Sequence, residues 1–216
     1  MKFKIYDYYK APGVRELCHD IKQFDDMERR KAAIEKMAAF FIEQDILNAK
    51  SVIVPAPQHT GKAEYTRDVA EIVCRETGAY LFDVLYCNPH EPIYEIKKNG
   101  KTSGIEMMIR DVLNAEDIMN LDFEGRSQEF FFLDNVIGTG NTYLKTLKVF
   151  SEEYGCYFNT LIPLAFALDP KRVSNILSNS LHLIRRYGSD EETISIDTGG
   201  SFNYWSLRDS NHCNVR

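Results

Sequence analysis

The sequence lacks any apolar run near the roughly 20 residues needed to cross a bilayer. Its first residues, MKFKIYD, hold no apolar stretch of the secretory kind and reach an acid by Asp7. Cysteine is scarce and scattered: five residues, Cys18, Cys74, Cys87, Cys156 and Cys213, with no Cys-x-x-Cys spacing. An odd, dispersed set supplies neither a disulfide framework nor a zinc site. The expectation is a reduced, cytoplasmic protein whose Cys74 and Cys156 act as small buried hydrophobes. A basic excess is also missing, since the formal net charge is -6. That argues against a general nucleic-acid binder, while leaving room for a small basic pocket. Internal repeats, low-complexity segments and linkers are absent too.

What is present is an ordinary globular composition. The 216 residues are 44% hydrophobic and 27% charged, enough for one domain with a full core. Short apolar runs alternate with helical periodicity. Residues 52–54 read as a strand closed by Pro55 and Pro57. Residues 66–77 place Val69, Ala70, Val73 and Cys74 at helical spacing. Residues 80–87 read as a second strand, and 130–133 as a third, apolar enough to be covered on both faces. A helix follows through Tyr143, Leu147 and Phe150. Then come a strand over 160–168 and a short helix over 170–181. Earlier, 15–46 is largely helical with an apolar face of Ala33, Met37, Phe40, Phe41 and Ile46, and 3–9 is an extra strand. The alternation predicts an α/β fold with a mostly parallel sheet flanked by helices. The division is one domain: an N-terminal helical segment or hood over 1–50, a core over 51–181 and an extension over 182–216. Residues 88–104 form a long basic loop with Lys97, Lys98 and Lys101, and long loops are often functional.

The stretch FFFLDNVIGTGNTYLKTL, residues 130–147, joins a buried strand, an acid, a Gly-Thr-Gly turn and a helix. In open α/β sheets ligands sit beyond the carboxyl ends of strands. Glycines let consecutive N–H groups converge, and the helix start adds partial positive charge. Gly138, Thr139, Gly140, Asn141 and Thr142 therefore suit a phosphate, with Asp134 placed to accept hydrogen bonds from sugar hydroxyls. The bland alternative is a strand-to-helix connection capped by Thr and Asn. A P-loop needs a lysine directly after its last glycine, and the dinucleotide fingerprint needs a glycine where Tyr143 stands.

FFFLDNVIGTGNT resembles the phosphoribosyl pyrophosphate (PRPP) signature of type I phosphoribosyltransferases. SVIVPAPQHTGKAEYTRDVAEIV is similar to the first strand, pyrophosphate loop and helix of the competence-F-type branch. KKNGKTSGIEMMIRDVLN falls where that family has its mobile catalytic loop. The resemblance implies the type I phosphoribosyltransferase fold with a small hood. It also implies a PRPP ligand, a small-molecule acceptor, Mg2+ bridging pyrophosphate and ribose oxygens, and a homodimer. Asp134 would bind the ribose hydroxyls, with Asn135 beside it. Residues 138–142 would bind the 5′-phosphate. Gln58, His59, Thr60, Gly61 and Lys62, with Arg67 nearby, would meet the pyrophosphate. Lys97, Lys98 or Lys101 would close over the leaving group, and Tyr65 or Trp205 would stack on a base. No metal would be held directly, Asp134 reaching one through water.

The chain departs from that pattern in two places. The second acid of the signature is Asn135, which carries no charge for magnesium or for a developing cation. Gly138 stands where purine-salvage relatives place an aspartate, which disfavours hypoxanthine or guanine. Two readings follow. One is an enzyme transferring phosphoribosyl to or from a nucleobase or amine with pyrophosphate as leaving group. The other is a catalytically weak or inactive PRPP- or nucleotide-binding module.

Overall fold

The computed structural model describes residues 2–91, 106–109, 129–154, 161–169, 194–197 and 202–207. In chain order the elements are β1 (Lys2–Asp7), α1 (Val14–Asp20), α2 (Met27–Ile42), β2 (Ser51–Pro55) and α3 (Tyr65–Thr77). They continue with β3 (Tyr80–Leu81), β4 (Leu85–Cys87), β5 (Met107–Ile109), β6 (Glu129–Ile137) and α4 (Asn141–Tyr154). β7 (Leu161–Leu168), β8 (Ile194–Asp197) and β9 (Phe202–Leu207) complete the set.

Seven strands form one sheet in the order β3-β2-β6-β7-β1-β9-β8. The first five are mutually parallel, and β9 and β8 join antiparallel at one side. β2, β6 and β7 read SVIVP, EFFFLDNVI and LIPLAFAL, near-continuous apolar runs that suit strands covered on both faces. Phe131, Phe132, Leu133, Leu164 and Ala165 have no exposed surface. The α/β class and the mostly parallel sheet are thus as expected.

The helices follow local chemistry. Asp26 caps α2 by accepting from the Arg29 amide at 3.0 Å, and Ala33, Met37, Ala38 and Phe41 line its buried stripe. α3 ends at Gly78, whose φ of 75° and N–H bond to the Cys74 carbonyl make a left-handed cap. α2 packs on α3, and α4 packs on β5.

Several boundaries differ from expectation. The single strand expected over 80–87 divides. Phe82 N–H donates to Ile53 O and Val84 N–H to Phe82 O, so the chain turns after β3. β4 then leaves the sheet and pairs antiparallel with β5 in a separate ribbon. The helical stretch expected over 15–46 breaks into α1 and α2 around the Asp26 cap. The N-terminal strand is integral: β1 lies between β7 and β9. The C-terminal stretch, unassigned from sequence, supplies β8 and β9. The helix expected over 170–181, and most of the loop expected over 88–104, lie outside the described residues.

From β2 the chain steps through α3 to β3 on one side. From β6 it steps through α4 to β7 on the other. The order therefore reverses between β2 and β6. Outside the carboxyl ends of that pair is where a doubly wound sheet opens a crevice.

Candidate functional site

Two loops leave the sheet at that point. β2 and β6 pair in parallel with Pro55 opposite Leu133, so residues 56–64 and 138–140 leave the sheet at the same edge. The second loop carries the motif. β6 runs to Ile137, three residues past Asp134, which sits within the ladder opposite Ala165 rather than just beyond the strand. The chain then turns through Gly138, Thr139 and Gly140 into α4, with Gly140 at φ 72°, a conformation that favours glycine. The first helical bond is Leu144 N–H to Gly140 O at 2.8 Å. Tyr143 fixes the helix start to the sheet, its hydroxyl donating to Leu161 O at 2.8 Å and its ring against Phe132. Among the described residues, the main-chain N–H groups of Gly138, Thr139, Gly140, Asn141 and Thr142 donate to no protein acceptor. A Cβ added at Gly138 would meet nothing within 4 Å. The turn is an open row of donors at a helix start, the arrangement that binds an anion.

Asp134 is half-buried. Burial pushes its pKa up to about 6, against the opposing pull of Lys22 and of hydrogen bonds from the Asn135 and Val136 amides. A carboxylate kept short of solvent, with no ion pair among the described residues, is an acceptor held ready for donors.

Asn135 lies within β6. It is 3% exposed. Its Oδ1 accepts from the Tyr65 hydroxyl at 3.3 Å, and its Nδ2 donates to Cys18 O at 3.4 Å. The amide braces β6 to α3 and α1. Tyr65, expected as a base-stacking candidate, belongs to the same brace and is buried.

The loop after β2 is largely closed on itself. Gln58 N–H donates to Lys62 O and Gly61 N–H to Gln58 O, each at 2.9 Å. The Gln58 side chain turns inward, its Nε2 donating at 3.0 Å to Thr66 Oγ1, which in turn donates to Ala56 O at 2.7 Å. Cys87 clasps the loop from β4: its N–H donates to Gly61 O and its thiol to Gln58 O. Thr60 Oγ1 donates to Glu64, and His59 O accepts from His90 N–H. Of the five residues expected at a pyrophosphate, His59, Thr60 and Lys62 have exposed surfaces, whereas Gln58 and Gly61 are buried. Arg67 is engaged by Glu71 at 2.9 Å and Asp83 at 3.6 Å. Lys97, Lys98 and Lys101 lie outside the described residues, as does the side chain of Trp205.

The structure adds Lys22, which the sequence does not single out. Its Nζ lies 5.8 Å from the centroid of the Tyr65 ring, and its charge acts on Asp134.

No protein-family model matches the chain, and no curated protein matches it. Among solved structures it is similar to an adenine phosphoribosyltransferase from Trypanosoma brucei in complex with AMP, pyrophosphate and ribose-5-phosphate. That likeness has a TM-score of 0.36 and 10% identity, covering 76% of this chain and 82% of the other. The α/β assignment rests on the strand order itself.

Proposed function

We propose that the protein binds a phosphorylated pentose of the PRPP class and acts as a phosphoribosyltransferase-like protein of the competence-F-type branch. The whole chain would serve as one domain around that site. The observation that carries this reading is the open row of amides at residues 138–142, with the half-buried Asp134 before it, at the point where strand order reverses. The amides and the start of α4 take the 5′-phosphate. Asp134 accepts from the ribose hydroxyls. The exposed His59, Thr60 and Lys62 meet the pyrophosphate, and Lys97 of the basic sequence segment 88–104 neutralises it on departure. The protein's part is to position the sugar and stabilise charge, without a protein nucleophile.

The residues fit poorly to a magnesium ion held by protein ligands. Among the described residues no three His, Cys, Asp or Glu side chains gather into a metal site, and Asn135 Oδ1 is taken by Tyr65. Magnesium would enter on the pyrophosphate oxygens.

A second reading is favoured by the buried Asn135 amide and by the committed donors of Gln58 and Gly61. It is a module that binds PRPP or a nucleotide without rapid turnover. PRPP with magnesium should raise the thermal midpoint, as any ligand selective for the native state must. Failure of millimolar PRPP to do so would remove both readings. Pyrophosphate release over a panel of nucleobases and amines separates them: release supports transfer, and a midpoint shift without release supports the binding module.

A further inference from the structure

We propose that the β4–β5 ribbon aims three main-chain amides of the turn at residues 58–62 toward a pyrophosphate-class anion, with Cys87 and His90 as its positioning residues. The proposal rests on the sugar-phosphate reading above and deepens it.

The geometry begins with the carbonyls of the turn. Gln58 O accepts from the Cys87 thiol at 3.3 Å and from Gly61 N–H at 2.9 Å. His59 O accepts from His90 N–H at 2.9 Å, and Gly61 O accepts from Cys87 N–H at 3.0 Å. The ribbon strand β4 and the two residues near its end thus hold the carbonyls of residues 58, 59 and 61. A trans peptide is planar, so its N–H points opposite to its C=O. Among the described residues there is no cis bond. The N–H groups that share a peptide plane with those three carbonyls belong to His59, Thr60 and Lys62. All three are therefore turned away from the ribbon.

Among the described residues none of those three N–H groups donates to a protein acceptor. The turn spends its other two donors on itself, Gln58 N–H on Lys62 O and Gly61 N–H on Gln58 O. Its polarity is thereby sorted, with carbonyls held on the ribbon side and amides left open on the other, an arrangement that receives an oxyanion. Burial follows the same division: His59, Thr60 and Lys62 are exposed, while Gln58, Gly61 and Cys87 are buried. Glu64, the acid bonded to the turn, accepts from Thr60 Oγ1 at 2.7 Å. The ribbon is anchored in turn, β4 pairing with β5 and β5 packing on α4, the helix that starts at the other loop. Paired strands run about 4.8 Å apart, so one ligand can reach from residues 138–142 beyond β6 to this turn beyond β2.

The test uses the full chain, with inorganic pyrophosphate and ribose 5-phosphate as separate probes in magnesium chloride, and follows binding by calorimetry. His90→Pro deletes the N–H that holds His59 O, whereas His90→Ala keeps it. His90→Pro should bind pyrophosphate about tenfold more weakly than His90→Ala. Cys87→Ala should weaken pyrophosphate about threefold, since a thiol is a weak donor, and Cys87→Ser should recover part of that loss. Ribose 5-phosphate affinity should move less than about twofold throughout. Hydrogen exchange on wild type needs no variant to fold: pyrophosphate should slow the Cys87 and His90 amides, and ribose 5-phosphate should leave them unchanged. Equal weakening of both probes would reveal a merely structural clasp and overturn the proposal. So would variants that bind pyrophosphate like wild type, or exchange at Cys87 and His90 that ignores pyrophosphate. Wild type that binds ribose 5-phosphate but no pyrophosphate overturns the proposal and leaves the sugar-phosphate reading standing. Wild type that binds neither probe overturns both.

Discussion

The loops after β2 and β6 lie side by side at one edge of the sheet, each with glycine and threonine, yet they are built for opposite ends. The loop at residues 58–62 turns its glycine inward: a Cβ on Gly61 would come within 2.8 Å of the Cys87 carbonyl, and its amide is already bonded. The turn at residues 138–140 leaves its amides unpaired among the described residues, with empty space around Gly138. The same residue types therefore say little until their backbone donors are traced. A glycine needed for close packing supports the fold, whereas a glycine beside open donors leaves room for something else.

The largest effect is expected at the acid beside the open turn. Asp134→Asn should abolish the shift given by ribose 5-phosphate or PRPP, lowering affinity at least about a hundredfold through loss of two charge-assisted acceptor bonds. It should also make the protein more stable at pH 8. The folded protein holds the Asp134 proton more tightly than the unfolded chain does, because its pKa is raised from 3.8 to about 6. That contribution is full below the unfolded value and is lost as pH rises through about 6, a loss of up to about 3 kcal/mol. Urea melts across pH 4–8 should show this decline in wild type and a flatter profile in Asp134→Asn. For the same reason ligand affinity should fall about tenfold per pH unit below 6. A pH-independent stability difference would mean that the carboxylate is solvated, and the open turn would lose its functional partner.

Gly61→Ala tests the closed loop. The residue has φ 101°, and its added methyl meets the main-chain oxygen of Cys87, whose N–H donates to Gly61 O. A loss of about 2–4 kcal/mol in urea unfolding is expected, from backbone strain and displacement of the Cys87 clasp. A change under about 0.5 kcal/mol would show that the loop is free to rearrange, and the contrast with the turn would disappear.

Thr66→Val probes the same loop from beneath. Thr66 Oγ1 joins Gln58 Nε2 to Ala56 O in the interior. Valine leaves both partners buried and unpaired, for an expected loss of about 1–3 kcal/mol. Ligand-induced shifts should persist in this variant if residues 138–142 are the main anion site. Their disappearance would show that the β2 loop contributes more than its closed form suggests.

These contrasts also mark what the sequence can disclose. The strand-acid-turn-helix order around Asp134 is local, and apolar runs together with helical periodicity place β2, α3, β6, α4 and β7. The role of Asn135 escapes a sequence reading because its partners, Cys18 and Tyr65, are 117 and 70 residues distant. No spacing rule joins them. Lys22 is invisible for the same reason, being one of many lysines until α1 docks on β6. The inward turn of Gln58 depends on Thr66 near the start of α3, and a loop glutamine is ordinarily read as exposed. The break after β3 is hidden because Phe82, Val84 and Leu85 are all buried and look like a continuing strand.

The smallest expected effect sharpens the comparison most. Gly138 shows no positive φ, and a methyl added there would find no atom within 4 Å, so neither strain nor collision opposes Gly138→Ala. Its stability should stay within about 0.5 kcal/mol of wild type, or rise slightly as the unfolded chain loses freedom. The same methyl projects beside the open amides, however, and a phosphate seated there would meet it. Weaker ribose 5-phosphate binding at unchanged stability would place the anion against this turn. Unchanged binding would mean that the ligand approaches from the Thr139 and Asn141 side alone, and a loss of stability would show that the space beside Gly138 is filled in solution by the protein itself.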